Sequence, residues 1–215
     1  MSRIHQFVFA VALALSLLGN ASAQTFQGRL ADGSPSATCT VSGANKCTSF
    51  FNPTLGITIL NNWSIGFGSW SATAGAGSAQ ALVASAGFAA SGLTGWVLPT
   101  GNGFEAAGAQ NQYLSIWNQV GSSFAGISGQ FAGVQSADTY WSSTEYAPLP
   151  SNAWGFSPAL GLQNATSKGS LLDTVAVRPG DVAAAVPEPQ TYAMLLAGLT
   201  ALTMVTRRRS AAPKP

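Results

Sequence analysis

Charge is what this sequence has least of. Only 7% of its 215 residues are Asp, Glu, Lys or Arg, against roughly 25% in an ordinary globular protein. Histidine occurs once, at His5, in a segment read below as removed on export. Without another, there is no Ser-His-Asp or Cys-His nucleophilic machinery and no His-containing zinc site. Cysteine occurs twice, at Cys39 and Cys47, and two thiolates alone are too few ligands for a metal. No P-loop lysine and no nucleotide fingerprint after a strand is present. Glycoside cleavage needs two carboxylates about 5–10 Å apart. Glu105, Asp138, Glu145, Asp173 and Asp181 supply carboxylates, but none in a recognisable context. The expectation is a protein with no catalytic residues, no cofactor and no metal, with an extracellular hydrolase as the alternative.

What the chain does have is apolar and aromatic: 47% hydrophobic residues, 6 Trp and 24 Gly. That content argues against a disordered polymer, and the length suits one domain or at most two.

The two ends are distinct from the middle. Arg3 precedes an apolar run over residues 7–18 broken only by Ser16, then Gly19-Asn20 and Ala21-Ser22-Ala23. This is the pattern of a secretory signal peptide over residues 1–23, cut between Ala23 and Gln24 by signal peptidase. An N-terminal anchor is the alternative, for which the run is short. At the other end, Val186-Pro187-Glu188-Pro189 leads into an apolar stretch over residues 192–205 and then Arg207-Arg208-Arg209. The stretch is helix-prone and slightly shorter than the ~20 residues that span a bilayer. It lacks the polar face of a core helix, so a C-terminal transmembrane helix is expected. The arginines place its end in the cytoplasm by the positive-inside rule.

This arrangement resembles the PEP-CTERM sorting signal, in which a Pro-Glu-Pro motif, one apolar helix and a basic cluster follow one another. The resemblance implies a Gram-negative bacterium and processing by exosortase, with Val186, Pro187, Glu188 and Pro189 as that enzyme's recognition site. It implies transient anchoring in the inner membrane, then the cell surface or extracellular matrix, in a setting of exopolysaccharide and biofilm or floc formation.

The whole-chain net charge of +2 is a property of these ends, which hold Arg3, Arg207, Arg208, Arg209 and Lys214 against Glu188. Between them, Arg29, Lys46, Lys168 and Arg178 face six acids, Asp32, Glu105, Asp138, Glu145, Asp173 and Asp181, a net charge of −2. Nucleic acid is not an expected partner of such a domain.

In the exported middle, Cys39 and Cys47 are expected to form a local disulfide, as a close pair does in an oxidising compartment. Residues 55–60 read as a strand, 78–90 as a helix weakened by Gly87, and 111–120 as a second helix. Short strands follow around Tyr140, Trp154 and Val177, with turns such as 148–152 between them. Early helices and late strands without a βαβ rhythm indicate an α+β class.

Three motifs stand in order: Thr94-Gly95-Trp96-Val97-Leu98-Pro99-Thr100, Tyr140-Trp141-Ser142-Ser143-Thr144-Glu145-Tyr146, and Asn152-Ala153-Trp154 with Val177-Arg178-Pro179 downstream. Together they resemble the Lcl C-terminal domain family over residues 55–181. The resemblance implies a C-type-lectin-like fold of short strands with one or two helices. Val97 departs from the arginine usual in that family. The resulting map is a signal peptide at 1–23, an N-terminal segment at 24–54, the Lcl-like domain at 55–181 and the sorting tail at 182–215.

Trp96, Trp141 and Trp154 sit among small residues and read as core anchors. Tyr140 and Tyr146 flank a Ser-Ser-Thr run and, with Glu145, make the candidate ligand face. Glu145 is also expected to pair with Arg178. The function this supports is a non-enzymatic binding module for exopolysaccharide or another matrix component. A structural matrix protein without a ligand is a further alternative.

Overall fold

A computed structural model describes residues 26–183. The signal segment with Ala23 and Gln24, the sorting motif, the apolar stretch at 192–205 and the arginine cluster lie outside the described residues. Among the described residues, no helix is long and apolar enough to cross a membrane.

Two antiparallel sheets and three short helices build the domain, a mixed α+β class. The first sheet contains β1 (Gln27–Arg29), β2 (Pro35–Ser36), β3 (Ser49–Asn52), β4 (Ile57–Leu60) and β8 (Val177–Pro179), in the order β2-β1-β3-β4-β8. The second contains β5 (Tyr140–Glu145), β6 (Asn152–Ser157) and β7 (Leu162–Ser167), in that order. Between them in sequence lie α1 (Ala79–Ser91), α2 (Gln112–Gln119) and α3 (Phe124–Gln130).

Side-chain alternation along the strands divides the interior in two. Ile57 and Ile59 of β4, with Val175 and Val177, enter a cluster that includes Phe26, Trp63, Tyr113, Tyr140 and Phe156. Leu60 and Ala176 face the other way, into a cluster built on Trp70, Val83, Trp96, Leu98 and Trp141. All four residues of β4 are buried, because the strand is covered on both faces. Its β-branched sequence, Ile-Thr-Ile-Leu, suits that position.

Each helix begins where a short polar side chain caps it. Ser78 accepts from Ala81 N, Asn111 from Leu114 N and Ser123 from Gly126 N, satisfying amides that have no partner within the helix. Helix α1 ends on Gly92 in the left-handed conformation. Among the described residues the helices are three rather than one or two. Helix α3 is short and glycine-bearing, so it shows no sustained apolar period in the sequence.

The boundary drawn at residues 54 and 55 falls inside the first sheet. Strand β3 pairs with β4 over four residues, from Ser49 opposite Leu60 to Asn52 opposite Ile57, as two arms of one hairpin. The disulfide Cys39–Cys47 closes the loop beside this sheet. Buried Asn61 ties that loop down, its Nδ2 donating to the carbonyls of Val41 and Cys47 at 2.8 Å each. Buried Arg29 holds Asp181, 152 residues away, with Nε to Oδ1 at 2.8 Å and a second bond to Oδ2 at 2.5 Å. This pair joins the first strand to the segment just beyond the last.

Candidate functional site

The hairpin β5–β6 carries most of the residues singled out in the sequence, and its alternation sorts them. Tyr140 and Trp141 start β5 on opposite faces, and a core cluster covers each face. Trp141 is fully buried and donates from Nε1 to the Gly68 carbonyl at 2.8 Å. Tyr140 is also fully buried, its ring 5.6 Å from that of Trp63 and its hydroxyl accepting from Gln135 N. Burial raises its pKa to about 12. Tyr140 therefore does not belong to an exposed ligand face: the strand is wrapped on both sides where it begins and opens only toward its far end.

Tyr146, just beyond that far end, is half-buried. Its ring centre lies 5.1 Å from Trp154 on β6, nearly perpendicular at 88°. A third ring completes the group. Phe104, from the loop between Pro99 and α2, stands 5.1 Å from Trp154 at 89° and 6.0 Å from Tyr146. Edge-to-face contacts of this kind suit the ring quadrupoles. Trp154 is only 6% exposed and joins neither core cluster, whereas Phe104 is 68% exposed. Trp154 is thus the floor of a surface aromatic group, and Phe104 and Tyr146 are its accessible part.

The loop meets the indole at Gly103. A Cβ there would lie 2.7 Å from the six-membered ring of Trp154, so only glycine lets the backbone rest on the ring. Around the rings are amide and hydroxyl side chains: Asn102 Oδ1 accepts from Phe104 N at 3.1 Å, and Thr144 Oγ1 lies 3.4 Å from Gly101 N. Phe104 had no sequence signal beyond being an aromatic residue in a glycine-bearing turn.

Glu145 pairs with Lys168, not with Arg178. The Lys168 ammonium also sits 4.4 Å from the Trp70 ring centre, a cation–π contact. Glu145 lies opposite Ala153 in the ladder, and Ala153 belongs to the Trp70–Trp141 cluster. Glu145 is therefore on the opposite face of the hairpin from Trp154. Arg178 is held in the other sheet, opposite Thr58, and donates from Nε to the Thr94 carbonyl at 2.9 Å.

The remaining carboxylates are dispersed. Asp181 is bound by Arg29. Asp173 is fully buried, accepting from Thr174 N and Gly66 N on Oδ1, while Oδ2 has no partner. Burial raises its pKa from the ordinary aspartate value. Glu105 is exposed beside Phe104. Among the described residues, no group of three or more His, Cys, Asp or Glu is placed to hold a metal. A groove of about 690 Å³ runs along α1 between Lys46, Asn61, Ile65 and Ala86, lined by small aliphatic and amide side chains without an aromatic ring.

Against known proteins, residues 185–209 match the PEP-CTERM protein-sorting motif. The match takes in Val186, Pro187, Glu188 and Pro189 together with Arg207, Arg208 and Arg209. It marks the chain as an exosortase-sorted extracellular protein, exported to the cell surface. No curated protein matches the chain.

Proposed function

We propose that the exported domain is a non-enzymatic binding module for exopolysaccharide or another glycan of the extracellular matrix, with Phe104, Tyr146 and Trp154 as its ligand face. The observation that carries this reading is a 68% exposed phenylalanine held edge-on to a tryptophan on a protein addressed to the cell surface. Aromatic faces stack on the apolar C–H faces of sugars while neighbouring amides and hydroxyls bond the ring oxygens. The likeness of residues 55–181 to the Lcl C-terminal domain, and through it to a C-type-lectin-like fold, points the same way. Signal peptidase and exosortase are its processing partners in this reading. The segment 192–205 anchors it in the inner membrane, its end in the cytoplasm, until exosortase acts, and the mature protein serves biofilm or floc formation.

The charges narrow the ligand. Arg29 and Lys168 are in ion pairs, Arg178 is bound to a carbonyl, and Lys46 lines the groove along α1. None of these four cations faces the three rings, and the exposed acid Glu105 adjoins them. Such a face suits an uncharged polysaccharide better than an acidic one. In binding assays with the full-length chain, neutral polysaccharides are expected to saturate it. Phe104→Ala and Tyr146→Ala should each weaken binding by at least tenfold. Folding should change by less than about 1 kcal/mol for the exposed Phe104. Release of reducing ends, lost in Glu105→Gln, would replace this reading with that of a hydrolase.

A further inference from the structure

We infer that Asn111 is a positioning residue that holds the Phe104 loop in its ligand-ready shape before any glycan arrives; this rests on the ligand face proposed above. Asn111 is fully buried, and its side chain makes four hydrogen bonds. Oδ1 caps α2 by accepting from Leu114 N at 3.2 Å and accepts a second bond from Gln163 Nε2 of β7 at 2.8 Å. Nδ2 donates to the carbonyls of Asn102 and Glu105, at 2.8 and 2.9 Å. Those two carbonyls bracket Gly103 and Phe104.

A helix cap requires only an acceptor, which serine or aspartate supplies as well as asparagine. The two N–H donors are extra to that role. Both are spent on the turn that carries the exposed ring, and the turn adds its own bond from Glu105 N to Asn102 O at 2.9 Å. One amide group thus links the helix start, the edge strand and the Phe104 turn. A face fixed in this way loses little conformational freedom on binding, so more of each contact appears as affinity.

Asn111→Ser and Asn111→Asp separate the two roles, because each keeps an oxygen for the cap and removes the donors. Aspartate in addition sets a carboxylate against the two carbonyls. In the full-length chain, amide hydrogen exchange at Phe104 and Glu105 should quicken at least tenfold in both variants, while exchange in the interior of α2 stays as in the wild type. Affinity for soluble mannan, β-glucan or chitooligosaccharide, whichever the wild type binds, should fall about three- to tenfold, short of the loss in Phe104→Ala. Unchanged exchange at 104 and 105 overturns the inference, and so does faster exchange with unchanged affinity. A wild-type chain that binds none of the three glycans while its loop stays protected removes the ligand-face reading itself. If one variant does not fold, the other carries the same comparison.

Discussion

The two sheets are held together by different means. The five-stranded sheet has short strands, three of them only two or three residues long, and little aromatic bulk of its own beyond Phe50 and Phe51. Specific fasteners secure it: a disulfide, the Arg29–Asp181 pair and the Asn61 amide. Among the described residues, the three-stranded sheet has no disulfide and no buried ion pair; besides the Asn111 amide bound to Gln163 of its edge strand, it relies on rings. Tyr140, Trp141, Trp154 and Phe156 lie on its strands, and Tyr113 of α2 stacks on Phe156 at 4.7 Å. Among the described residues, the better buried of the two ion pairs lies at the first sheet, with the Arg29 guanidinium 5.5 Å from the Phe51 ring centre. Rings dominate the second sheet, and the surplus emerges at its open end as the Phe104 group.

That difference can be broken from either side. The largest effect is expected in the ring-held sheet: Trp141→Ala removes a fully buried ring and the donor to Gly68, and should lower unfolding free energy by about 4 kcal/mol in urea titration. Next comes Arg29→Met, which leaves the partly buried Asp181 without its guanidinium and should cost about 3 kcal/mol by the same measurement. Loss of the Cys39–Cys47 link, whose cysteines are eight residues apart, follows from chain entropy at about 2.5 kcal/mol. Cys39→Ser/Cys47→Ser should melt earlier than the wild type, and reductant should then have no further effect on it.

The smallest effect sharpens the comparison through pH. Burial raises the pKa of Asp173 above its ordinary value of 3.8, so the folded state holds this proton more tightly than the unfolded chain does. Its contribution to stability is full below pH 3.8 and is lost as pH rises through the raised folded value. The wild type should therefore lose stability relative to Asp173→Asn as pH climbs through that window. A difference that stays flat with pH would show that burial does not perturb the group.

Some of this was legible in the residues. The strand read at 55–60, which forms over Ile57–Leu60, the helices read at 78–90 and 111–120, and the buried Trp96 and Trp141 follow from β-branched content, apolar period and ring size. Gly87 shows where that reasoning stops. It weakens α1 by propensity, about 1 kcal/mol against alanine. Yet a Cβ at that position would stand 2.1 Å from the Trp96 ring, so the indole occupies the missing side chain's place. Gly87→Ala would gain propensity and lose more by overpacking. Of the three residues read together as a candidate face, Tyr146 joins the surface ring group, Tyr140 lies in the core, and Glu145 turns to the other side. A period-two strand shows which residues share a face but not whether that face is covered.

The sequence alone determined the sorting signal at residues 185–209, because a linear segment read by another enzyme needs no tertiary neighbour. It also determined the strands and helices whose apolar period and caps are local. Tertiary structure decided which charges meet, Arg29 with Asp181 and Glu145 with Lys168, and which aromatic residues reach the surface. Phe104 and Trp154 are 50 positions apart, and their meeting depends on a loop pinned by one buried amide. Contacts across that distance follow from how elements pack, which no local pattern encodes.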